Sequence, residues 1–450
     1  MSLSPALASA CVALLAVAVM YAWDSSVVSP PITPILALAS GPEFDPEIHA
    51  LVSSCRPLAA PDGRFLTAGS AMVMLDDGSL LVFSDDSVAA LHLRLADAAA
   101  IRRKDRTPPG PGVATGDALL DGVDIEWLDL HVLPDQDDKH DLEAAASLPM
   151  GLLMPGFVGL DTSLRSVDVA SYKPRSHPDH ARHMHVLVVG SGSLVDEREV
   201  ALLLHIHTDD DNETHLVADM ESAVYSKLYA ATRAATAAAE LNIEGLAVAL
   251  PASPFHCTVF AIHRANDGGS QPASGTLVGF PCGQLLGHLA EPHKLPVPAI
   301  TTLAALALPE IDGVALTPTD LDTAPPRCDP RHVNGTAPVR GTQHCAARLV
   351  FLAAAEDTPS PLADGPVIGC AVGVVEVDVR TGAVASSHPP RAAHIYRRSR
   401  DGSIARDVTK YEGIVLLPGA SSALLVSDPD ATDRAAELCH VHLPQALDLA

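Results

Sequence analysis

The chain has 450 residues, of which 48% are hydrophobic but only 4% aromatic, so any large core must be built mainly from aliphatic side chains. Its 37 prolines and 30 glycines favour many turns over long helices. The 55 acidic residues outnumber the 29 basic ones, and a net charge of -26 argues against nucleic-acid partners because it would repel a phosphate backbone. The same excess of acid suits cation binding or simple solubility.

The first element in the chain is an apolar segment at residues 6–23 that contains no charged residue. The segment is at the lower limit of length for a membrane-spanning helix. An ordinary signal peptide has Lys or Arg before its apolar core, but here no Lys or Arg precedes the segment. We interpret 1–23 as a signal peptide or membrane anchor and 24–64 as a proline-rich linker and lead-in, with neither role as the remaining alternative. A signal or an anchor would make the protein secreted or membrane-anchored, with its main part outside the cytoplasm.

An internal repeat of three short strands occupies most of the remaining chain. The first strand opens with an acid and a small residue, the second runs into a small, polar or acidic cluster, and the third is apolar. Five units are visible, with first strands at 70–74, 142–146, 243–247, 311–315 and 411–415; the copy at 70–74 lacks the acid. Insertions separate the strands at 98–140, 151–183, 208–240, 317–346 and 380–408, and one of them contains a predicted helix at about 221–240.

Repeated strand units separated by turns predict an all-β, β-propeller-like domain, because radial repetition leaves few open sheet edges. The domain would span 65–443, with five visible blades, room for a sixth, long loop insertions and one inserted helix. A short tail would follow at 444–450. A β-sandwich with accidental internal similarity is the alternative.

Four motifs carry a resemblance to a known family: N-I-E-G at 242–245, G-S-G-S at 190–193, A-A-A-E-D-T at 353–358 and Y-E-G at 411–413. With them the chain resembles an uncharacterised bacterial family with a propeller-like domain of unknown function. More distantly it is similar to esterase-like phytase and gluconolactonase-type propellers. The resemblance covers roughly 65–443 and implies the fold, but it implies little about function.

The first strand of each propeller blade lines the central channel, so an acid at one position in several blades would form a ring. The predicted ring consists of Glu143, Glu244, Asp312 and Glu412. Acids at the ends of the second strands could reach the same mouth of the channel: Asp85, Asp86, Glu356, Asp357 and Asp428. Such a group favours Ca²⁺, which binds six to eight oxygens. The alternative is that each acid caps backbone N–H groups between blades.

Basic and amide side chains beside these motifs are candidates for ligand contacts or for salt bridges: Arg198, Arg264, Asn266 and Lys410. We therefore expect a ligand-binding or scaffold propeller with an acidic channel mouth and a small-molecule or anionic ligand. The alternative is a Ca²⁺-dependent hydrolase of phosphate or carboxylic esters. The sequence has no G-x-S-x-G, P-loop, H-E-x-x-H or dinucleotide fingerprint, so it leaves open whether the protein is an enzyme.

The eight cysteines show no C-x-x-C spacing, but two pairs, Cys257 with Cys282 and Cys328 with Cys345, bracket loop-like stretches and predict disulfides. Sequons begin at Asn212 and Asn334, consistent with an oxidising, glycosylating compartment. Three H-x-H pairs could each hold a transition metal, because alternate residues of a strand share a face: 183/185, 205/207 and 440/442. Solvated histidines on an outer face are the alternative.

Overall fold

The computed structural model describes residues 48–75, 77–85, 89–95, 119–129, 141–148, 182–194, 198–208, 214–218, 223–238, 240–249, 257–264, 274–329, 344–357, 365–378, 391–399, 401–431 and 433–449. The described residues all lie within one compact unit, Ala37–Ala450. They are mostly β-strand, as predicted, with two α-helices. The apolar segment 6–23 lies outside them, and no described helix is long and apolar enough to cross a membrane.

The strands fall into five antiparallel groups, which we call meanders 1 to 5. Meander 1 is β2 (Ala71–Met74), β3 (Leu80–Phe83), β4 (Ala89–Arg94) and β5 (Asp124–Asp129). Meander 2 is β6 (Leu142–Leu148), β7 (Arg182–Gly190) and β8 (Val200–Thr208), with β9 (Thr214–Ala218) and β10 (Ala223–Val224) both paired to β8. Meander 3 is β11 (Ile243–Ala249), β12 (Thr258–His263), β13 (Ser274–Pro281) and β14 (Thr302–Ala307).

Meander 4 is β16 (Val314–Asp329), β17 (His344–Glu356), β18 (Val367–Asp378) and β19 (Arg391–Arg398), with β15 (Glu310–Ile311) and β20 (Ile404–Arg406) at its edges. Meander 5 is β21 (Tyr411–Leu416), β22 (Ser422–Ser427) and β23 (Glu437–His442), completed by the first described strand, β1 (His49–Pro57). Strand β1 pairs antiparallel with β23 and parallel with β19, so meanders 4 and 5 form one ten-stranded sheet.

The middle strands are buried on both faces, which explains why they are nearly continuous apolar runs. Every residue of β12 is buried. Phe260 and Ile262 pack against meander 4, while Val259 and Ala261 pack against meander 2. Hydrophobic clusters of this kind lie between meanders 1 and 2, 2 and 3, 3 and 4, 4 and 5, and 5 and 1. The first strands follow the same cycle: β2 contacts β6, β6 contacts β11, β11 contacts β16, β16 contacts β21, and β21 contacts β2.

Two disulfides are present among the described residues. Cys257 and Cys282 are bonded, which confirms that predicted pair. Cys55 of β1 and Cys439 of β23 form the other, which the sequence did not suggest because 384 positions separate them. The Cys328–Cys345 bridge stays a prediction: the two residues are opposed in the β16–β17 register, but their side chains lie outside the described part of the structure. The sequons at 212–214 and 334–336 are not fully within it.

The boundaries at 65 and 444 cut into the folded part of the chain. Strand β1 lies within the predicted linker 24–64, and Leu447, in a 3₁₀ turn of the predicted tail, is buried. The predicted insertions also contain structure, because they hold the fourth strands β5 and β19. The sequence pattern predicts three strands in each repeat, whereas these meanders have four.

The predicted helix is present as α1 (Ser226–Thr236), shorter than expected, and it ends where Ala237 adopts a left-handed conformation. A second helix, α2 (Cys282–Ala290), was not predicted. Its leucines at 285, 286 and 289 are buried in the cluster between meanders 2 and 3. The helix is only nine residues long and interrupts its apolar residues with Gly, Gln and His, so periodicity alone does not distinguish it from a strand.

Candidate functional site

The first strands carry a shared irregularity near their start. In meanders 2, 3 and 5 the register with the second strand skips one residue, and the skipped residues are Glu143, Glu244 and Glu412. In meander 4 the skipped residue is Thr319, and in meander 1 Ser70 directly precedes β2. A bulge removes a residue from the ladder and re-aims its side chain. The predicted acid position is therefore a real structural position, occupied by three acids and two hydroxyls.

The structure does not bring Asp312 into this set. Asp312 and Gly313 form the two-residue turn between β15 and β16, with φ of 52° and 85°, and the Asp312 side chain is 65% exposed and paired with Arg406. Asp-Gly between two strands is a strong signal for a hairpin turn. The alignment of 311–315 with the other first strands was thus wrong, and Thr319 stands at the equivalent position.

The three bulge acids influence one another. Burial is the main cause that raises the pKa of Glu244 to about 8; Arg264 opposes the shift and the nearby charge of Glu412 adds to it. Burial likewise raises the pKa of Glu412 to about 7. The pKa of Glu143 is held well above its usual range, first by desolvation and then by the negative charges of Asp141 and Glu244. The three acids therefore lie within electrostatic range of one another: the charges of Glu244 and Glu412 raise the pKa of Glu143, and the charge of Glu412 raises that of Glu244.

Arg264 lies between two of the acids. Its guanidinium is 2.8 Å from Glu356, at the end of β17, and 3.7 Å from Glu244. Asn242, two residues before Glu244, also donates a hydrogen bond to that carboxylate. Arg264 is only 11% exposed and is neutralised by these carboxylates, so it acts as a counter-charge within the site.

Lys410 makes the equivalent contacts in meander 5. Its Nζ lies 2.9 Å from Glu412, 3.4 Å from Asp428 and 3.2 Å from Asp430. The lysine, Glu412 and Asp428 are almost fully buried. Burial and then the charge of Glu412 raise the pKa of Asp428 to about 9, although Lys410 opposes the shift.

The third part of the site lies between meanders 1 and 2. Asp85, Asp141 and Glu143 each offer a carboxylate oxygen, and these oxygens lie within 4.8 Å of one another. Two oxygens bound to one Ca²⁺ at about 2.3–2.6 Å are no more than about 5 Å apart, so the three groups fit a shared ion. Asp141 Oδ2 accepts hydrogen bonds from Arg198 (2.7 Å) and Ser191 (2.5 Å), which fix this carboxylate in place.

We call the convergent carboxyl groups the acidic cluster: Asp85, Asp141, Glu143, Glu244, Glu356, Glu412 and Asp428. Three predicted basic residues border it, namely Arg198, Arg264 and Lys410. Asp357 is exposed, and its N–H bonds the carbonyl of Pro366 outside the cluster. Asp86 and Asn266 lie outside the described residues.

Sequence reasoning missed Asp141, although a signal for it exists. The residue two positions before each bulge acid points into the same site: Asp141 before Glu143, Asn242 before Glu244, and Lys410 before Glu412. The triplets D-L-E, N-I-E and K-Y-E thus each place a polar side chain two positions before the bulge acid.

Two family models match separate parts of the chain. Residues 174–329 match a family of unknown function, DUF6910, and residues 330–443 match a second family of unknown function, DUF6929. The boundary between them falls between the paired strands β16 and β17, so the two matches divide one hairpin rather than two domains. The comparisons bear out a resemblance to families of unknown function and gave no likeness to phytase-type or gluconolactonase-type propellers. No curated protein matches the chain.

Proposed function

We propose that this chain is an extracytoplasmic, five-bladed β-propeller that binds a divalent cation, Ca²⁺, in an acidic channel mouth and a small anionic ligand at that ion. The single observation that carries the proposal is the convergence of Glu143, Glu244 and Glu412 from bulges at one position of three meanders.

The cycle of contacts supports the propeller. Each meander packs on two neighbours through separate hydrophobic clusters, and the first strands contact each other in the same cyclic order. A β-sandwich would instead bury one face of each sheet. Strand β1 would then close the ring by completing the last blade with the start of the chain, and the Cys55–Cys439 disulfide would hold that closure.

The charge of the cluster supports the cation. Seven carboxyl groups face three cationic side chains, and burial makes their ionisation costly. Arg264 and Lys410 compensate the parts of the cluster nearest meanders 3, 4 and 5. The part between meanders 1 and 2 has oxygens at the spacing of calcium ligands.

The ligand chemistry follows from the same site. A calcium ion held by three carboxylates keeps coordination positions for a further oxygen ligand. Arg198 borders this position and is 26% exposed, so its guanidinium could contact a carboxylate or phosphate beside the ion. The extracytoplasmic location rests on the two disulfides, since such bonds persist in oxidising compartments.

Thermal unfolding in chelator and in added Ca²⁺ tests the proposal on the whole protein. Binding only to the folded state should raise stability by about 2–4 kcal/mol at a well-saturating concentration. Glu143→Gln should abolish this response and, because it removes a repelled carboxylate, should stabilise the protein in chelator. Asp312→Asn is the matched control, since this acid was predicted for the ring but lies away from it.

A melting temperature indifferent to chelator and Ca²⁺ would overturn the cation site, as would an equal loss of the response in Asp312→Asn. With Ca²⁺ bound, calorimetric titration of phosphate and acetate tests the anionic ligand. Turnover of p-nitrophenyl phosphate or p-nitrophenyl acetate that requires Ca²⁺ would select the hydrolase alternative over the ligand-binding role.

A further inference from the structure

We propose that Cys55, Cys439 and Glu437 form a zinc site when the disulfide between the two cysteines is reduced. The site lies where β1, the first described strand, pairs with β23, the last. It is separate from the acidic cluster and does not depend on the function proposed above. The pairing of β1 with β23 would then carry a cross-link in either redox state, a disulfide when oxidised and a zinc ion when reduced.

Three donor groups converge at this pairing. Cys55 is directly opposed to Cys439 in the antiparallel register, and Glu437 lies two residues before Cys439 on β23. Alternate residues of a strand share a face, so the Glu437 carboxylate lies on the same face as the Cys439 sulfur. The two sulfurs and one carboxylate oxygen of Glu437 all lie within 4.8 Å of one another. A third donor therefore stands beside the disulfide.

The donor set fits zinc. Zn²⁺ binds thiolate sulfur at about 2.3 Å and carboxylate oxygen at about 2.0–2.2 Å, and a site with three protein ligands keeps one position for water or another ligand. Tetrahedral coordination at these lengths places two donors about 3.6–3.8 Å apart. The sulfurs reach this separation only after the S–S bond breaks. Cys55 is partly exposed, so its side chain has room to turn and a path for the ion exists.

Arg397 of β19 fixes the carboxylate and sets the local charge. Its guanidinium is 3.3 Å from Glu437, 3.8 Å from the Cys439 sulfur and 2.8 Å from Asp407. Two thiolates and one Zn²⁺ add no net charge to this group, so zinc binding leaves its balance unchanged. Thiolates without a metal would instead add negative charge beside two carboxylates, which favours either protonated thiols or bound Zn²⁺.

The second disulfide shows what Glu437 adds. Cys257, next to β12, is bonded to Cys282 at the start of α2, and both residues are buried. Within the part of the chain that the structure describes, no third Cys, His, Asp or Glu completes a group with these two sulfurs. Two thiolates alone fall short of the three or four ligands of a zinc site, so this pair should not hold the ion when reduced.

The change of cross-link balances chemically. A phosphine reductant takes the oxygen of one water molecule while the S–S bond breaks, which gives two thiols and a phosphine oxide. Binding of Zn²⁺ then releases the two thiol protons. Oxidised glutathione reverses both steps: it accepts two electrons, becomes two thiols, and Zn²⁺ leaves as the S–S bond forms again.

The test uses untagged, full-length protein reduced with a phosphine that is then removed under nitrogen. Co²⁺ is the probe for zinc, because thiolate-bound Co²⁺ has a charge-transfer absorption that oxygen-bound Co²⁺ lacks. The reduced protein should show this absorption with one Co²⁺ per chain and lose it when Zn²⁺ is added. The oxidised protein should not show it.

Variants separate the ligands from their surroundings. Glu437→Gln keeps both cysteines and should weaken Zn²⁺ binding to the reduced protein by at least about tenfold, since losing a ligand costs no less than losing its outer partners. Glu291→Gln is the matched control, because Glu291 is also paired with a cation, Lys294 at 2.9 Å, but belongs to no group with cysteines. Cys55→Ser/Cys439→Ser should abolish the absorption although Cys257 and Cys282 remain.

Circular dichroism follows folding throughout, and Glu437→Gln decides the case if the double cysteine variant does not fold. The proposal would be overturned by an absent absorption in the reduced protein, by an unchanged one in Cys55→Ser/Cys439→Ser, or by equal Zn²⁺ affinity in Glu437→Gln and the unchanged protein. A reduced chain that stays unfolded in Zn²⁺ would overturn it too, because the ion should replace the disulfide in holding β1 to β23.

Discussion

Replacing Lys410 with Met should destabilise the protein much more at pH 8 than at pH 5. Lys410 is 7% exposed, and its Nζ contacts two buried carboxylates, Glu412 at 2.9 Å and Asp428 at 3.4 Å. Methionine keeps the length of the side chain but removes its charge. The variant therefore isolates the electrostatic role of the lysine from its packing.

The magnitude follows from the pKa values. Burial raises the pKa of Glu412 from 4.5 to about 7, so holding this group ionised above pH 7 already costs about 3 kcal/mol. Lys410 opposes this shift and the rise of the Asp428 pKa to about 9. Without the lysine both pKa values rise further. Breaking a buried pair by removing one partner typically costs about 3–5 kcal/mol, which is the loss expected at pH 8.

The sign of the pH dependence is set by proton binding. Between its usual pKa and its raised pKa, Glu412 binds a proton in the folded state but not in the unfolded state, so the free energy of unfolding falls as pH rises through that window. Removing Lys410 extends the window above pH 7. At pH 5 the carboxyl is protonated in both proteins, so the difference should shrink to about 1 kcal/mol.

Urea unfolding followed by far-ultraviolet circular dichroism at pH 5 and pH 8, in chelator, measures both values. Lys294→Met is the control, because Lys294 is 74% exposed and its ion pair with Glu291 should contribute little. The reasoning would be refuted by a loss below about 1 kcal/mol at pH 8, or by equal losses at the two pH values.

Three further predictions test the fold. Non-reducing peptide mapping should recover Cys55 linked to Cys439, and Cys55→Ser should destabilise by about 2–5 kcal/mol; a free thiol at either position would contradict the closure. Gly245→Ala should cost about 3 kcal/mol in urea unfolding, because the new Cβ would lie 2.5 Å from the backbone N of Leu321; a neutral effect would exclude this contact of β11 with β16. Burial raises the pKa of Asp322 to about 6, so the free energy of unfolding should fall as the pH rises from 4 to 6. Asp322→Asn should make this pH dependence weaker, and an unchanged dependence in the variant would contradict the prediction.

The strands with period-two or continuous apolar patterns could be predicted because burial on both faces demands such runs. The first strands of four meanders lie where the sequence pattern put them. The fourth strands β5 and β19 could not be found, because outer strands carry polar residues and follow segments rich in Pro, Asp and Arg. The pairing of β1 with β23 could not be predicted from the sequence either, because a local pattern contains no information about a partner nearly 400 positions away.

The sequence predicted the site correctly where the acid belongs to a first strand. It failed where the same acid-glycine pair belongs to a hairpin turn. Glu143, Glu244 and Glu412 stand at the same bulge position of their first strands. Asp312 does not stand there, because Asp312-Gly313 forms a tight hairpin turn. The sequence I-D-G at 311–313 nevertheless resembles I-E-G at 243–245, which starts a first strand. Asp141 was missed because it directly precedes β6 and so lies outside the repeated strand pattern, although its spacing of two residues from Glu143 is a signal for it.

The bulge position itself distinguishes a structural role for the acids from a functional one. Ser70 and Thr319, at this position in meanders 1 and 4, donate hydrogen bonds to carbonyls of the next first strand, those of Leu142 (2.5 Å) and Tyr411 (2.8 Å). A hydroxyl thus ties neighbouring first strands together at almost no electrostatic cost.

Acids that cap backbone N–H groups also exist here, but they are other residues. Asp320 and Asp322 of β16 accept the N–H groups of Ile414 and Leu416 on β21, each at 2.7 Å. A carboxyl group at the bulge can donate to a carbonyl only while it is protonated, whereas serine and threonine donate at any pH. Hydroxyls and other acids supply the structural bonds, so the three carboxyls with raised pKa values at this position support the cation site proposed above.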